Sequence, residues 1–309
     1  MKTRSGKHYK ISDKDNKPRK VNNISAVKKL RIENKTLRIE NKTLGIENKT
    51  LYTLILDAVN CNTLNDLAIC YKKGDGVEKN MEKAIELYTL SANQGNSPAQ
   101  YNLALCYQKG DEVEKNMKKA IELYTLSANQ DNSKAQYNLA VCYENGYGVE
   151  KDMNKAFELY TLSANQGNSK AQYNLAVCYQ KGYGVEKNMN KAIELFTSSA
   201  NQGNSKAQNN LALCYENGDG VEKNMKKAFE LYTLSANQGY SDAQYNLAIC
   251  YENGDGVEKD MNKAFELYTL SANQGNSPAQ NNLAFCYENG YGVEKDMNKA
   301  IELYTLSAN

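Results

Sequence analysis

The residue types able to carry chemistry in this 309-residue chain are its eight cysteines, a single histidine and its carboxylates. Seven of the cysteines, Cys70, Cys106, Cys142, Cys178, Cys214, Cys250 and Cys286, stand 36 residues apart. Regularly spaced thiols invite two readings, a disulfide framework or a metal site. Neither fits. No second cysteine or histidine lies at ligand spacing from any of them. Equivalent points on neighbouring packed helices are about 10 Å apart, beyond the reach of a disulfide. The spacing therefore predicts buried free thiols that act as small hydrophobes in a reducing compartment. Cys61 stands apart from the series, where later copies carry serine. The only histidine, His8, lies among basic residues, so no His-based nucleophile or general base can be assembled. Asp and Glu recur at surface positions of a repeat. Gly146-Tyr147-Gly148-Val149 lacks the Gly-Lys-Ser/Thr that completes a phosphate-cradling loop. The chain is expected to be non-enzymatic, with no metal and no cofactor.

The elements that position these residues follow from the same period. Around each cysteine stands nearly the same text, as in Ala135-Gln136-Tyr137-Asn138-Leu139-Ala140-Val141-Cys142-Tyr143, with copies beginning at Thr63, Ala99, Ala135, Ala171, Ala207, Ala243 and Ala279. Self-similarity at such a period marks stacked units that cannot bury their apolar faces alone. Each unit reads as two helices. Helix A opens with a capping box, Ser97 as N-cap, Pro98 at the first position and Gln100 at the third. Ser133 with Gln136, Ser169 with Gln172, Ser205 with Gln208, Ser241 with Gln244 and Ser277 with Gln280 repeat it. Gly110 ends the helix, and paired glycines permit the tight reversal that follows. Helix B starts after Asn116 or Asp152 and runs to a stop at Gly167, Gly203, Gly239 or Gly275. The second copy carries Glu112 and Asp131 in place of two of these glycines, which predicts strained turns there.

Several motifs recur in register: Ala99-x-x-x-Leu103-Ala104-x-x-Tyr107, Gly146-x-Gly148-Val149, Asp152-Met153-x-Lys155-Ala156 and Ala164-Asn165-Gln166-Gly167. They resemble the Sel1-like repeat family, relatives of the tetratricopeptide repeats, over residues 63–309. The resemblance implies an all-α fold, a right-handed α/α superhelix of seven helix-turn-helix repeats. It also implies a concave scaffold surface and no single biochemical activity. The repeats are taken as 63–98, 99–134, 135–170, 171–206, 207–242, 243–278 and 279–309.

At helical spacing, Ala99, Leu103, Cys106 and Tyr107 share one apolar arc of helix A. Tyr101, Leu105, Gln108 and Lys109 occupy the other, and the differences between copies concentrate there. In solenoids of this family helix A usually lines the concave surface. The candidate groove is therefore the ladder Tyr101, Leu105, Tyr137, Val141, Tyr173, Val177, Leu213, Tyr245, Ile249 and Phe285. Its polar margin is Gln108, Glu144, Gln180, Glu216, Glu252 and Glu288. Tyrosine combines apolar area with a polar tip and little rotamer entropy, which suits contact with a partner. The same side chains can equally pack between neighbouring A helices. Helix B reads as structural, with Met117, Ala120, Ile121, Tyr124 and Ala128 in one stripe.

The N-terminal part differs. Residues 1–31 hold eleven Lys or Arg against Asp13 and Asp15, so a segment of net charge +9 precedes a body of −7 within a chain of +2. Residues 1–26 read as a basic disordered tail. A seven-residue repeat follows over residues 27–51. It places Leu30, Leu37, Leu44 and Leu51 at d and Asn34, Asn41 and Asn48 at a, the pattern of a parallel coiled-coil dimer. Against that stand the asparagines at a and the isoleucines Ile32, Ile39 and Ile46 at an exposed position. A lone docked or frayed helix is the alternative. Residues 46–62 read as a degenerate half-repeat cap, since Leu51-Tyr52-Thr53-Leu54 matches Leu87-Tyr88-Thr89-Leu90. No stretch approaches the roughly 20 apolar residues of a membrane span, and an intracellular protein is expected. The expected partner is a protein or peptide held on helix A, by a monomer or a coiled-coil homodimer. The alternative is nucleic acid or an anionic surface bound by residues 1–31, with the array as a passive body.

Overall fold

The computed structural model of the chain describes residues 59–308. The basic tail, the heptad segment with its candidate dimerisation residues, and most of the half-repeat cap lie outside them. Among the described residues there are fourteen α-helices and no strands. They form seven hairpins: α1 (Cys61–Lys73) with α2 (Met81–Asn93), α3 (Ser97–Lys109) with α4 (Met117–Ala128), and α5 (Ser133–Asn145) with α6 (Met153–Asn165). The series continues with α7 (Ser169–Lys181) and α8 (Met189–Asn201), α9 (Ser205–Asn217) and α10 (Met225–Ala236), and α11 (Ser241–Asn253) and α12 (Met261–Ala272). It ends with α13 (Ser277–Asn289) and α14 (Met297–Ser307). None of these helices is long and apolar enough to cross a membrane. The chain divides into two compact units, Met1–Ser127 and Ala128–Asn309.

Within the second unit one cluster of buried side chains recurs at every junction. Ala140 of α5, Ala156, Tyr160 and Ala164 of α6, and Ala171, Leu175 and Cys178 of α7 form one of them. The alanines let the three helices approach closely, and the tyrosine ring fills the remaining volume with no exposed area. Phe196 takes the place of that tyrosine in the next cluster. The first unit repeats the scheme with Leu64, Ala84, Tyr88, Leu103 and Cys106. A helix A therefore packs on its own helix B, and that helix B packs on the next helix A. This is the solenoid plan expected from the period.

The glycines fall where the sequence predicts. Gly110, Gly146, Gly182 and Gly254 close the A helices in the left-handed conformation, with φ of 74–84°. Each backbone N–H donates to the cysteine carbonyl four residues back. Glu112 and Asp131, which replace glycine in the second copy, adopt φ of 52° and 58°. These are the strained turns that the substitutions predict.

The helix A caps correct one expectation. The N-cap is not Ser97 or its equivalents but the preceding asparagine. Oδ1 of Asn96, Asn132, Asn168, Asn204 and Asn276 accepts from a first-turn N–H. The serine is already helical, and its carbonyl accepts a hydrogen bond from a buried serine of helix B, as Ser163 Oγ does to Ser133 O at 2.6 Å. Nor does the glutamine turn back to close a capping box. Gln136 Nε2 donates to Ala128 O at 3.2 Å and its Oε1 accepts from Gln166 at 2.8 Å. The residues that suggested a local cap thus lock helix to helix, a long-range use that local spacing cannot reveal. In the sixth copy Tyr240 replaces the asparagine and makes no side-chain cap bond, while Asp242 supplies first-turn negative charge.

Candidate interaction surface on the A helices

The ladder residues sit on the outer arc of the A helices. Tyr101, Tyr137, Tyr173 and Tyr245 are half-buried, as are Leu105, Val141, Val177, Leu213 and Ile249, while Phe285 is 45% exposed. Each ladder tyrosine leans on the buried aromatic of its own helix B. Ring centroids are 6.0 Å apart for Tyr137 and Tyr160, for Tyr173 and Phe196, and for Tyr245 and Tyr268. Such contacts support one side of each ladder ring, which stays half-buried. Burial pushes the Tyr137 and Tyr173 hydroxyls up from their ordinary pKa; Glu144 adds to the effect at Tyr137, and at Tyr173 Asp242 and then Glu144 add to it while a hydrogen bond with Asn210 opposes it.

The polar margin faces inward as well as outward. Glu144, Glu216 and Glu252 accept hydrogen bonds from the buried hydroxyls of Tyr160, Tyr232 and Tyr268, and Gln108 accepts from Tyr124. Glu288 does the same for Tyr304 at 2.8 Å. Burial, reinforced by the neighbouring carboxylate, raises the pKa of the Tyr160, Tyr232 and Tyr268 phenols. Gln180 is the exception, because its helix B partner is Phe196, which has no hydroxyl. A carboxylate at this position therefore serves a buried phenol.

The cysteines do no exposed chemistry. All seven of the periodic series are free and buried, and Cys61 is half-buried. Burial pushes Cys142, Cys214 and Cys286 up to about 11, and Cys178 and Cys250 up to about 12. At neutral pH such thiols are protonated and poor nucleophiles. Among the described residues no group of His, Cys, Asp and Glu is arranged to hold a metal ion.

The second unit also carries a cleft of about 470 Å³, between the A helices of the third to fifth copies. Tyr137, Tyr173 and Asn174 line its floor, with Lys170, Lys206 and Gln238 among its polar walls. The sequence reading named the two tyrosines but not the lysines, whose signal was their recurrence at one helix position. It also passed over Leu126, Leu162, Leu234 and Leu270, which stand off the buried stripe of helix B and are 50–53% exposed.

Together these features define a tandem α-helical repeat protein whose periodic thiols lie in its buried core. The Sel1 repeat pattern matches seven times, over residues 63–96, 97–132, 133–168, 169–204, 205–240, 241–276 and 277–309, and the chain belongs to that family. From the second copy on, its units start at the first residue of helix A. Among solved structures, a protective antigen of uropathogenic Escherichia coli strains with this repeat fold is 32% identical, with a TM-score of 0.72. The match covers 85% of this chain and 56% of that one, so the chain spans little more than half the antigen's length. A Sel1 repeat protein from Oxalobacter formigenes is 31% identical with a TM-score of 0.72, covering 79% of this chain and 96% of that one. A search of curated proteins finds no match.

Proposed function

We propose that this chain is a non-catalytic scaffold that holds a polypeptide partner on the concave surface lined by its A helices. Sel1 repeat proteins are generally protein-interaction scaffolds, which supports the class. The observation that carries the finer reading is the cleft floored by Tyr137 and Tyr173, rings already fixed from behind by Tyr160 and Phe196. A pre-ordered aromatic loses little entropy when a partner covers it.

The test uses peptides selected on the full chain from a random displayed library. Tyr137→Ala, Tyr173→Ala and Tyr245→Ala introduced together are expected to weaken those peptides by about tenfold or more, with helicity retained by circular dichroism. Unchanged affinity in the folded variant would remove the helix A arc from the reading.

A further inference from the structure

The second position of helix A changes in an ordered way along the chain: Asn62, Pro98, Lys134, Lys170, Lys206, Asp242, Pro278. Proline and aspartate suit the first turn of a helix, the former by its fixed φ and the latter by its charge. Lysine does not. Its cation lies at the positive end of the helix dipole, a mild cost repeated in three successive copies. The local rule is broken where a cleft opens, and Lys170 and Lys206 both line it. Both side chains are exposed. The ion pairs among the described residues join Asp152 to Lys155, Asp260 to Lys263 and Asp296 to Lys299, and neither cleft lysine is in one of them.

We infer that the cleft over Tyr137 and Tyr173 selects an extended acidic segment of a partner protein, whose carboxylates meet Lys170 and Lys206 while its apolar side chains rest on the tyrosines. This rests on the scaffold reading and adds the partner's chemistry to it. Neighbouring packed helices stand about 10 Å apart, and an extended chain rises about 3.3 Å per residue. Acidic residues at every third position therefore match the step from one lysine to the next. Asp242, in the following copy, carries the opposite sign and stands close enough to act on Tyr173, so the acidic stretch must end before it. The chain's own basic residues 1–31 are the wrong sign to occupy this cleft.

The experiment titrates the full chain into three fluorescein-labelled peptides, identical except for Glu, Gln or Lys at every third position, followed by fluorescence anisotropy. The Glu peptide is expected to bind best. The Lys170→Glu, Lys206→Glu double variant should lose it by about tenfold or more and gain the Lys peptide. Its helices should be intact, because glutamate suits the first turn. Absence of Glu-peptide binding, or equal binding of Glu and Lys peptides, overturns the inference. So does a Glu-peptide affinity that charge reversal leaves unchanged, which would assign the contact to residues 1–31. An oligodeoxythymidine that binds more tightly than the Glu peptide and is lost on charge reversal would overturn the claim of a polypeptide occupant. The library-selected peptides separate this inference from the reading beneath it. If they show no acidic preference but are weakened by the tyrosine variants, the acidic inference fails and the groove stands. If they respond to neither set, both fail.

Discussion

The second and sixth copies follow one plan and differ at the positions that hold a hairpin together. In the sixth, Gly256 occupies the loop at φ 73° and Gly275 the stop at φ 82°. The second has Glu112 and Asp131 there, both left-handed. The sixth sets the carboxylate of Glu252 against its buried tyrosine and caps helix B with Asp260. The second uses neutral groups, Gln108 and Asn116. The loop glycine thus answers two separate demands. One is backbone conformation, which a side chain meets at a cost of about 1–2 kcal/mol. The other is space, and it differs between loops. A Cβ at Gly256 would lie 2.4 Å from the carbonyl oxygen of Met225, whereas one at Gly220 would stand 3.5 Å from the equivalent oxygen of Met189, with that residue's Cβ nearest at 3.0 Å. Where the backbone of the preceding helix B presses on the loop, glycine is required; where that backbone stands further off, a small side chain costs less.

The largest expected effect comes from placing a side chain in the crowded loop. Gly256→Ala combines left-handed strain with a backbone clash and should cost about 3 kcal/mol or more. It should be visible as lost amide protection in α10, α11 and α12. Gly220→Ala should cost less, about 1–2 kcal/mol, most of it conformational. Equal losses at the two positions would break the distinction between shape and space.

Next in size is the buried phenol. Tyr268→Phe leaves Glu252 without its donor and Asn282, which donates to the phenol oxygen at 3.1 Å, without its acceptor. A loss of about 1.5 kcal/mol is expected. Tyr124→Phe in the second copy removes a neutral pair with Gln108 and should cost about 1 kcal/mol or less. Urea melts of the two variants measure the difference. The fourth copy already carries the outcome of such a change, Phe196 opposite Gln180.

Most of the fold was legible because a 36-residue period with glycine stops encodes helix ends locally, and seven copies repeat the message. The buried cysteines followed from their place on the arc shared with Ala99 and Leu103. What was not legible depends on neighbours distant in sequence. Ser97 and Gln100 form a capping signature, yet the fold uses them against helices some 30 and 8 residues away. Glu144 looks like a polar rim residue until Tyr160 is seen beneath it. The exposed Leu162 and the cleft lysines recur as faithfully as the core, and recurrence alone does not separate a packing position from a surface one.

Relief of strain should be smaller than either loss. Glu112→Gly frees the backbone but returns flexibility to the unfolded chain, for a net gain of about 0.5 kcal/mol. Asp131→Gly should gain less, since aspartate tolerates the left-handed region better than glutamate. A stop variant that gained as much as the loop variant would show that Asp131 is the more strained of the two.

The helix B caps give the smallest contrast, one that pH alone can expose. Asp260 accepts from the backbone N–H of Lys263, with the lysine side chain adding to the effect, and its pKa lies below the ordinary value of 3.8. A carboxyl depressed in the folded state contributes stability above its unfolded pKa and loses it as pH falls through the folded one. Asn116 accepts the equivalent bond from Lys119 N at 3.0 Å and has no proton to gain. Acidification below pH 3.8 should therefore weaken amide protection in the first turn of α12 more than in that of α4. Asp260→Asn should abolish the difference while leaving protection at neutral pH nearly unchanged, because asparagine caps as well as aspartate does. Matching pH profiles for wild type and Asp260→Asn would mean that the cap bond, and not its charge, is all that the sixth copy draws from its aspartate.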